Sequence, residues 1–274
     1  MSEGLDAEHA GRTDTNPTLP PLPSPPSLPG RRQLAAWWAG CLLLCLLTAL
    51  VVTAAGSLAA VAMLALPLSQ APGPLIRRWR LRRLLTDHRY RTLVGGSTDA
   101  LAAALRPYGI HELTIRVGPT VRGLARSYRA GSRGIVLLNE HLLRAPWVTG
   151  FFLTHEFGHL ARHDFVRRPL VISTLLACWV CGVLAAPLAA IGLAPALALA
   201  VAFNWAMELD CDRIAARWVG LGPAERAMWV LGQSERQPGQ SPLTVIRIRL
   251  HLTHPPVGRR LAAVRAAAGS PPPR

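Results

Sequence analysis

Two histidines and a glutamate in the middle of the chain have the spacing of a metal-dependent hydrolytic site. The residues read His155-Glu-Phe-Gly-His159, so Glu156 directly follows the first histidine. On a helix, side chains four residues apart lie on one face about one turn apart, and both imidazoles can reach a single ion. Zinc held in this way activates a water molecule, whose proton Glu156 is placed to take as general base. We therefore predict one zinc ion per chain, bound by His155 and His159.

A catalytic zinc site commonly has a carboxylate as its third protein ligand and leaves one position for water. Glu208 and Asp212 stand four residues apart, which places them on one face of a helix that begins as a long apolar run ends. We predict Glu208 as the third ligand and Asp212 as the hydrogen-bond acceptor for a ligand histidine. The alternative for these acids is a solvated helix end beside Arg213. Asp164 is set aside as a ligand because it lies too close, on the helix of the motif two turns beyond His155, and is expected to face elsewhere.

Two other potential ligands lie close to these residues. A thiolate at Cys211 would close the coordination position that a catalytic site keeps open, so Cys211 is interpreted as a packing residue. His163 lies one turn beyond His159 and is interpreted as a surface residue. Neither is predicted to bind the metal.

Two long segments without a charged residue must position these motifs. They run from Gln33 to Ile76 and from Pro169 to Met207, and both exceed the roughly 20 apolar residues that cross a bilayer. Buried core helices are the alternative, but neither segment has the polar face of a core helix in a soluble domain. The histidine motif precedes the second segment and Glu208 follows it, so this segment must cross the membrane an even number of times. We predict two hairpins, or about four transmembrane helices.

The net charge of +15 comes from arginine alone, since the sequence contains no lysine. Arginines cluster at the ends of the apolar segments, as at Arg31–Arg32, Arg77–Arg83 and Arg167–Arg168. This distribution is typical of membrane topology control and predicts a multi-pass protein of the cytoplasmic (inner) membrane with its catalytic domain on the cytoplasmic side. We predict the lipid bilayer and protein substrates as partners. Nucleic acid is not predicted, because no helix-turn-helix or aromatic-interleaved basic motif is present.

Composition and pattern divide the chain into six segments. They are a disordered proline-rich tail (1–33), a transmembrane hairpin (34–76), a soluble catalytic part (77–168), a second transmembrane hairpin (169–204), a catalytic part with the third-ligand helix (205–268) and a loose tail (269–274). In the soluble part, alternation predicts a strand at Ile110–Val117, and the run Ile135–Leu138 predicts another, buried or at a sheet edge. Pro146 suits the first turn of a helix that continues to about Asp164.

Three stretches resemble the HtpX-type membrane metallopeptidases, relatives of the eukaryotic CAAX prenyl proteases. They are His-Glu-Phe-Gly-His at His155, Glu-Leu-Asp-Cys-Asp-Arg at Glu208 and His-Pro-Pro-Val-Gly-Arg-Arg at His254. The resemblance implies a mainly α protein with a small β-sheet, in which a polytopic membrane part carries a zincin-like catalytic domain. It also implies a zinc-dependent endopeptidase that hydrolyses peptide bonds of membrane or membrane-proximal proteins, with Glu156 as general base and Asp212 as partner of a ligand.

The resemblance implies two further elements of the site. His254 would lie near the substrate carbonyl as a second catalytic residue. An edge strand would hold an extended peptide by β-augmentation, and its residues would be Ile135, Val136, Leu137 and Leu138. The spacing from His159 to Glu208 also resembles the BlaR-type metallopeptidases, so a signalling sensor is the alternative, although the His-Pro stretch favours the HtpX type. A catalytically inactive scaffold is disfavoured by the intact Glu156.

Overall fold

The computed structural model describes residues 73–93, 96–119, 124–185, 191–234 and 254–268, with isolated helical positions between 36 and 46. The helices are α1 (Gly73–Thr86), α2 (Gly96–Leu105), α3 (Pro146–Ala161), α4 (Asp164–Ala185), α5 (Leu193–Val219), α6 (Leu221–Ser234) and α7 (Val257–Ala268). The strands are β1 (Arg91–Leu93), β2 (Glu112–Gly118), β3 (Ala125–Ala130) and β4 (Arg133–Asn139). The described chain is thus mainly helical with one small sheet. The predicted tails at 1–33 and 269–274 and nearly all of the predicted hairpin at 34–76 lie outside the described residues.

The four strands form one sheet in the order β1-β2-β4-β3. β2 and β4 run parallel, with Ile115 opposite Val136, whereas β1 and β3 pair antiparallel with their neighbours. Ser127 of β3 also stands opposite Val136. β4 is therefore a central strand, and β3 is the strand next to it at one side of the described sheet.

The predicted strand at Ile135–Leu138 is present and buried, but the edge position that the resemblance implied for it is wrong. β4 pairs with β2 on one side and with β3 on the other, so both of its backbone edges are used. Ile135 and Leu137 pack on the face toward α1, whereas Val136 and Leu138 belong to the main core. A continuous apolar run is the pattern of a strand that is covered on both faces, as β4 is, but it does not specify which strands pair with it.

Helix α3 carries the histidine motif through the centre of the core. Pro146 occupies its first turn, where a missing N–H costs no intrahelical hydrogen bond. Every residue from Val148 to Ala161 is buried. Phe157 packs edge to face against Trp218 of α5, with ring centroids 4.7 Å apart. The motif is therefore held rigidly between the sheet and α5.

Helices α4 and α5 are long and apolar enough to cross a membrane, and they are the two such helices among the described residues. They continue across the predicted segment boundaries at residues 168 and 204. The 27 residues of α5 span about 40 Å, which exceeds a hydrocarbon core of roughly 30 Å. Leu197 and Leu199 near its start are exposed, whereas Glu208 and Asp212 further along are buried. One helix thus combines an apolar outer part with a polar part that enters the core.

Candidate metal centre

His155 and His159 project from α3 toward Glu208 on α5. The two Nε2 atoms are 3.1 Å apart. Glu208 Oε2 lies 3.5 Å from Nε2 of His155, and Oε1 lies 3.4 Å from Nε2 of His159. All three side chains are buried. The structure therefore brings together three residues that α4 separates in the chain, and the group could hold a metal ion.

The donor geometry of this group fits zinc. Tetrahedral ligands at about 2.0–2.1 Å from zinc are separated from one another by roughly 3.3–3.4 Å. The two Nε2 atoms are 3.1 Å apart, and each lies 3.4 or 3.5 Å from one Glu208 oxygen, a different oxygen for each histidine. These separations are close to that value. Two imidazoles and one carboxylate also form the ligand set of catalytic sites such as thermolysin, in which a fourth position stays open.

Two carboxylates orient the ligand histidines from behind. Oδ2 of Asp164 lies 2.7 Å from Nδ1 of His159, and Oδ1 of Asp212 lies 2.9 Å from Nδ1 of His155. An ionised carboxylate only accepts hydrogen bonds, so the Asp164 contact favours the ring proton on Nδ1 of His159 and a lone pair on its Nε2. The His155–Asp212 contact is an ion-pair distance without hydrogen-bond geometry. The Nε2 atoms of the two histidines and the Glu208 carboxylate face one another, which is an arrangement that a cation would stabilise.

The pKa of His155 also indicates that its surroundings favour a positive charge. Burial acts to lower the pKa of this imidazole, but the carboxylates of Asp212 and Glu208 raise it, and the net result is a pKa of about 9. In the absence of a bound cation His155 therefore keeps a proton at neutral pH. A metal ion bound at this group would have to displace this proton, so we expect metal binding to strengthen as the pH rises toward 9.

Arg260 of α7 holds Asp212 in place. Its Nη2 and Nε donate hydrogen bonds of 2.6 and 2.7 Å to the two carboxylate oxygens. Both residues are buried, with Arg260 only 4% exposed. A bidentate pair of this kind compensates for burial of the carboxylate and restricts its orientation. Sequence reasoning assigned a role to Asp212 but missed Arg260, which acts on His155 through it.

Asp164 reaches His159 because the chain turns sharply between α3 and α4. α3 ends at Ala161, three residues earlier than the predicted end. His163 adopts a left-handed backbone conformation with φ of 57°, which lets α4 begin at Asp164 beside the motif. His163 is therefore a turn residue of intermediate exposure. The expectation that Asp164 faces elsewhere assumed one continuous helix. The only feature of the sequence that could have indicated the contact is the position of this acid, five residues after His159.

Glu156 directly follows His155 on α3 and is held by the sheet. Ser127 of β3 donates a hydrogen bond from Oγ to Oε2 of Glu156. Both side chains are buried, at 5% and 7% exposure. The contact fixes one oxygen of a carboxylate that is not among the grouped metal donors. Nothing local in the sequence connects these two residues, so Ser127 was missed.

Two further side chains contact Glu208 from outside the metal group. Arg168 of α4 donates a hydrogen bond to Oε1, and Nδ1 of His254 lies 3.1 Å from Oε2. The His254 side chain is 55% exposed, whereas that of Glu208 is 2% exposed. The structure thus places His254 at the solvent-facing side of the site. Arg168 was missed, because its role depends on how α4 packs against α5.

Cys211 forms a second group of potential ligands with His159 and Asp164. Its Sγ lies 3.4 Å from Nδ1 of His159 and 3.9 Å from Oδ2 of Asp164. The 2.7 Å contact of His159 with Asp164 is shorter than the roughly 3.3 Å between two donors on one zinc ion. The group with Glu208 is therefore the better metal site. Cys211 instead packs against Gly158, where an added Cβ would lie 2.9 Å from Sγ.

Comparison of the chain with protein-family models finds no match, and neither does comparison with curated proteins. The functional assignment therefore depends on the residues of the site and on how the fold positions them.

Replacing Asp164 by asparagine is expected to weaken zinc binding about 10–100-fold, the usual effect of removing the partner of a ligand histidine. Asparagine can present its amide N–H to Nδ1 of His159 and so favour the wrong tautomer. Competition with a chromogenic zinc chelator measures the affinity. Asp99→Asn, at an exposed position of α2, is the control and should bind zinc like the wild type. Equal affinities for all three proteins would show that Asp164 does not orient His159.

Proposed function

We propose that this protein is a zinc-dependent endopeptidase of the HtpX type. The observation that carries the proposal is the convergence of the two Nε2 atoms and the Glu208 carboxylate, with Glu156 directly after His155 on the same helix. Structural zinc sites are usually closed by four protein ligands, whereas a catalytic site has three and a nearby acid or base. The three buried donors, together with the separate carboxylate of Glu156 directly after His155 in the chain, support the catalytic interpretation.

The side chains around the site have distinct roles in the proposed hydrolysis. When bound, zinc supplies a Lewis acid that polarises the scissile carbonyl and acidifies water. Glu156 takes the proton of the attacking water as the carbon–oxygen bond forms and passes it to the amine as the carbon–nitrogen bond breaks. Ser127 keeps the Glu156 carboxylate in position for both transfers. His254, exposed beside Glu208, donates to the carbonyl oxygen as negative charge develops there.

An extended peptide is proposed to bind along β3. This strand lies at the edge of the described sheet, and an edge strand offers backbone N–H and C=O groups on its outer side. β3 also carries Ser127, which contacts Glu156 directly. A peptide paired with β3 would therefore pass close to the general base.

The membrane part of the proposal assigns about four transmembrane helices to the chain. α4 and α5 supply two of them, and residues 34–76 supply the others. The arginine clusters at the ends of these segments support an orientation with the catalytic parts on the cytoplasmic side of the cytoplasmic membrane. The polar end of α5 and the first turn of α4 both contribute to the site. Membrane and membrane-proximal proteins are therefore the proposed substrates.

Metal removal tests the proposed function. The full chain purified in detergent is expected to contain about one zinc ion per chain and to cleave an unstructured protein such as casein. Dialysis against a chelator should abolish cleavage, and added zinc should restore it, because the site needs the ion to activate water. Cleavage that persists in zinc-free protein would contradict the proposal. A heat-treated sample and a preparation from cells without the expressed chain control for contaminating peptidases.

A further inference from the structure

Helix α1 is attached to the sheet by one face. Leu81 is 3% exposed and packs in a small core with Ile135 and Leu137 of β4. Arg116 of β2 donates hydrogen bonds of 2.5 and 2.7 Å to the backbone carbonyls of Leu84 and Leu85 in the last turn. These contacts satisfy carbonyls that a helix end leaves without intrahelical partners. α1 is therefore a fixed part of the catalytic fold.

The opposite face of α1 combines exposed apolar side chains with a high positive charge. Leu75, Ile76 and Trp79 are 68%, 47% and 59% exposed. The helix has no acidic residue. Its exposed basic residues are Arg78, Arg80, Arg82 and Arg83, whereas Arg77 is half-buried on the side of Leu81. The guanidinium carbon of Arg83 lies 5.6 Å from the centroid of the Trp79 ring.

We propose that this outer face of α1 binds anionic phospholipid headgroups at the membrane surface. Tryptophan is enriched at membrane interfaces, where its ring lies among the headgroups. A cluster of four to eight basic residues beside a membrane segment is typical of anionic lipid binding. α1 begins at Gly73, at the end of the long apolar segment that runs to Ile76, so it stands where such a segment would leave the bilayer.

The apolar side chains favour a lipid surface over another anionic partner. A nucleic acid or an acidic protein surface would be attracted by the arginines. Its charged groups would not cover Leu75, Ile76 and Trp79, which would remain exposed to water. A bilayer interface accommodates both, because the apolar side chains enter the acyl boundary while the guanidinium groups remain with the phosphates. The combination of exposed apolar side chains and arginines on this face therefore favours an anionic lipid headgroup as its ligand.

Lipid binding by α1 would also fix the height of the substrate strand above the membrane. Tyr128 and Ala130 of β3 pack against the same small core as α1. This consequence depends on the proposed function, whereas the lipid binding itself requires only that the chain is inserted in a membrane. A headgroup-bound α1 would hold β3 close to the surface, where membrane-proximal peptide segments emerge.

Fluorescence quenching of Trp79 tests the proposal. The full chain is reconstituted into phosphatidylcholine vesicles that contain a minor fraction of brominated phosphatidylglycerol or, in parallel, the same fraction of brominated phosphatidylcholine. The contribution of Trp79 is the difference between the wild type and Trp79→Phe. We expect this contribution to be quenched more strongly by the anionic lipid, with an apparent selectivity on the order of fivefold.

Matched variants separate a local site from an effect of total charge. The test variant replaces four arginines of α1 by glutamine, namely Arg78, Arg80, Arg82 and Arg83. The control removes the same charge from exposed positions elsewhere, namely Arg106, Arg133, Arg144 and Arg265. Loss of selectivity in the test variant alone supports the site.

Three results would overturn the lipid site. They are equal quenching by the two lipids, equal loss of selectivity in both variants, and displacement of the lipid by polyglutamate with tighter binding of that peptide. The Glu156→Gln protein gives the same readout without peptidase activity. Failure of the lipid site and failure of the proposed function are therefore distinguishable.

Discussion

Replacement of Glu156 by glutamine is expected to lower the rate of peptide hydrolysis by roughly 10²–10⁴-fold, the contribution of a positioned general base. Glutamine has nearly the same shape and can still accept the hydrogen bond that Ser127 donates to Oε2. It cannot take a proton from water. Because Glu156 is not among the grouped metal donors, the zinc content should stay at the wild-type level.

The measurement for Glu156 combines zinc analysis with casein cleavage by the same detergent-purified samples. Glu140→Gln, at an exposed position after β4, is the matched control and should keep full activity. A Glu156→Gln protein that binds zinc and still cleaves at the wild-type rate would rule out this residue as the base. Loss of zinc together with activity would instead assign Glu156 to metal binding.

Replacement of Glu208 by glutamine is expected to weaken zinc binding by more than about 100-fold, which exceeds the usual effect of changing a residue behind a ligand. The Glu208 carboxylate is 1% exposed and supplies one of the three donors. Its loss leaves two imidazoles and removes the negative charge that Arg168 and His254 contact. Cleavage should disappear with the metal and return only at high zinc concentration.

A neighbouring acid on the same helix provides the control for Glu208. Asp210 is 44% exposed and pairs with Arg213 at 2.7 Å and with Arg162 at 3.1 Å. Asp210→Asn removes one negative charge from α5 without touching the metal group, and it should keep the wild-type zinc affinity. Circular dichroism checks that both variants retain their helices. Unchanged affinity in Glu208→Gln would mean that another residue is the third ligand.

Local spacing carried most of what could be predicted about the site. His155 and His159 share a helix face because four residues make about one turn, and the same rule links Glu208 to Asp212. The hypothesis that the two histidines meet Glu208 and Asp212 came from the usual ligands of catalytic zinc, which are two histidines and a carboxylate. The structure brings all four together because α3 packs directly against α5.

The contacts that the sequence did not reveal all depend on tertiary packing or on one backbone turn. Ser127 reaches Glu156 because β3 lies against α3, and Arg168 reaches Glu208 because α4 packs on α5. Asp164 reaches His159 through the left-handed turn at His163. No periodicity in the sequence encodes such pairs.

The strand error has a different origin. The apolar run at Ile135–Leu138 indicated a strand, and β4 extends one or two residues beyond it at each end. An apolar run does not show which neighbours a strand will have. The position of β4 between β2 and β3 follows from the chain topology. β3 and β4 form a hairpin, and β4 pairs with β2 on its other side, so β3 is left at the edge.

The contact between Gly158 and Cys211 makes this pair a spacer that sets the separation of the two ligand-bearing helices. A methyl group at Gly158 would lie 2.9 Å from Sγ of Cys211, whereas ordinary contact begins at about 3.5 Å. Relieving that overlap would move α5 away by about 0.6 Å, but metal–ligand distances tolerate only about 0.2 Å. The separation at which His155, His159 and Glu208 could hold an ion is thus set by a hydrogen atom on one helix and a sulphur atom on the other, neither of which belongs to that group.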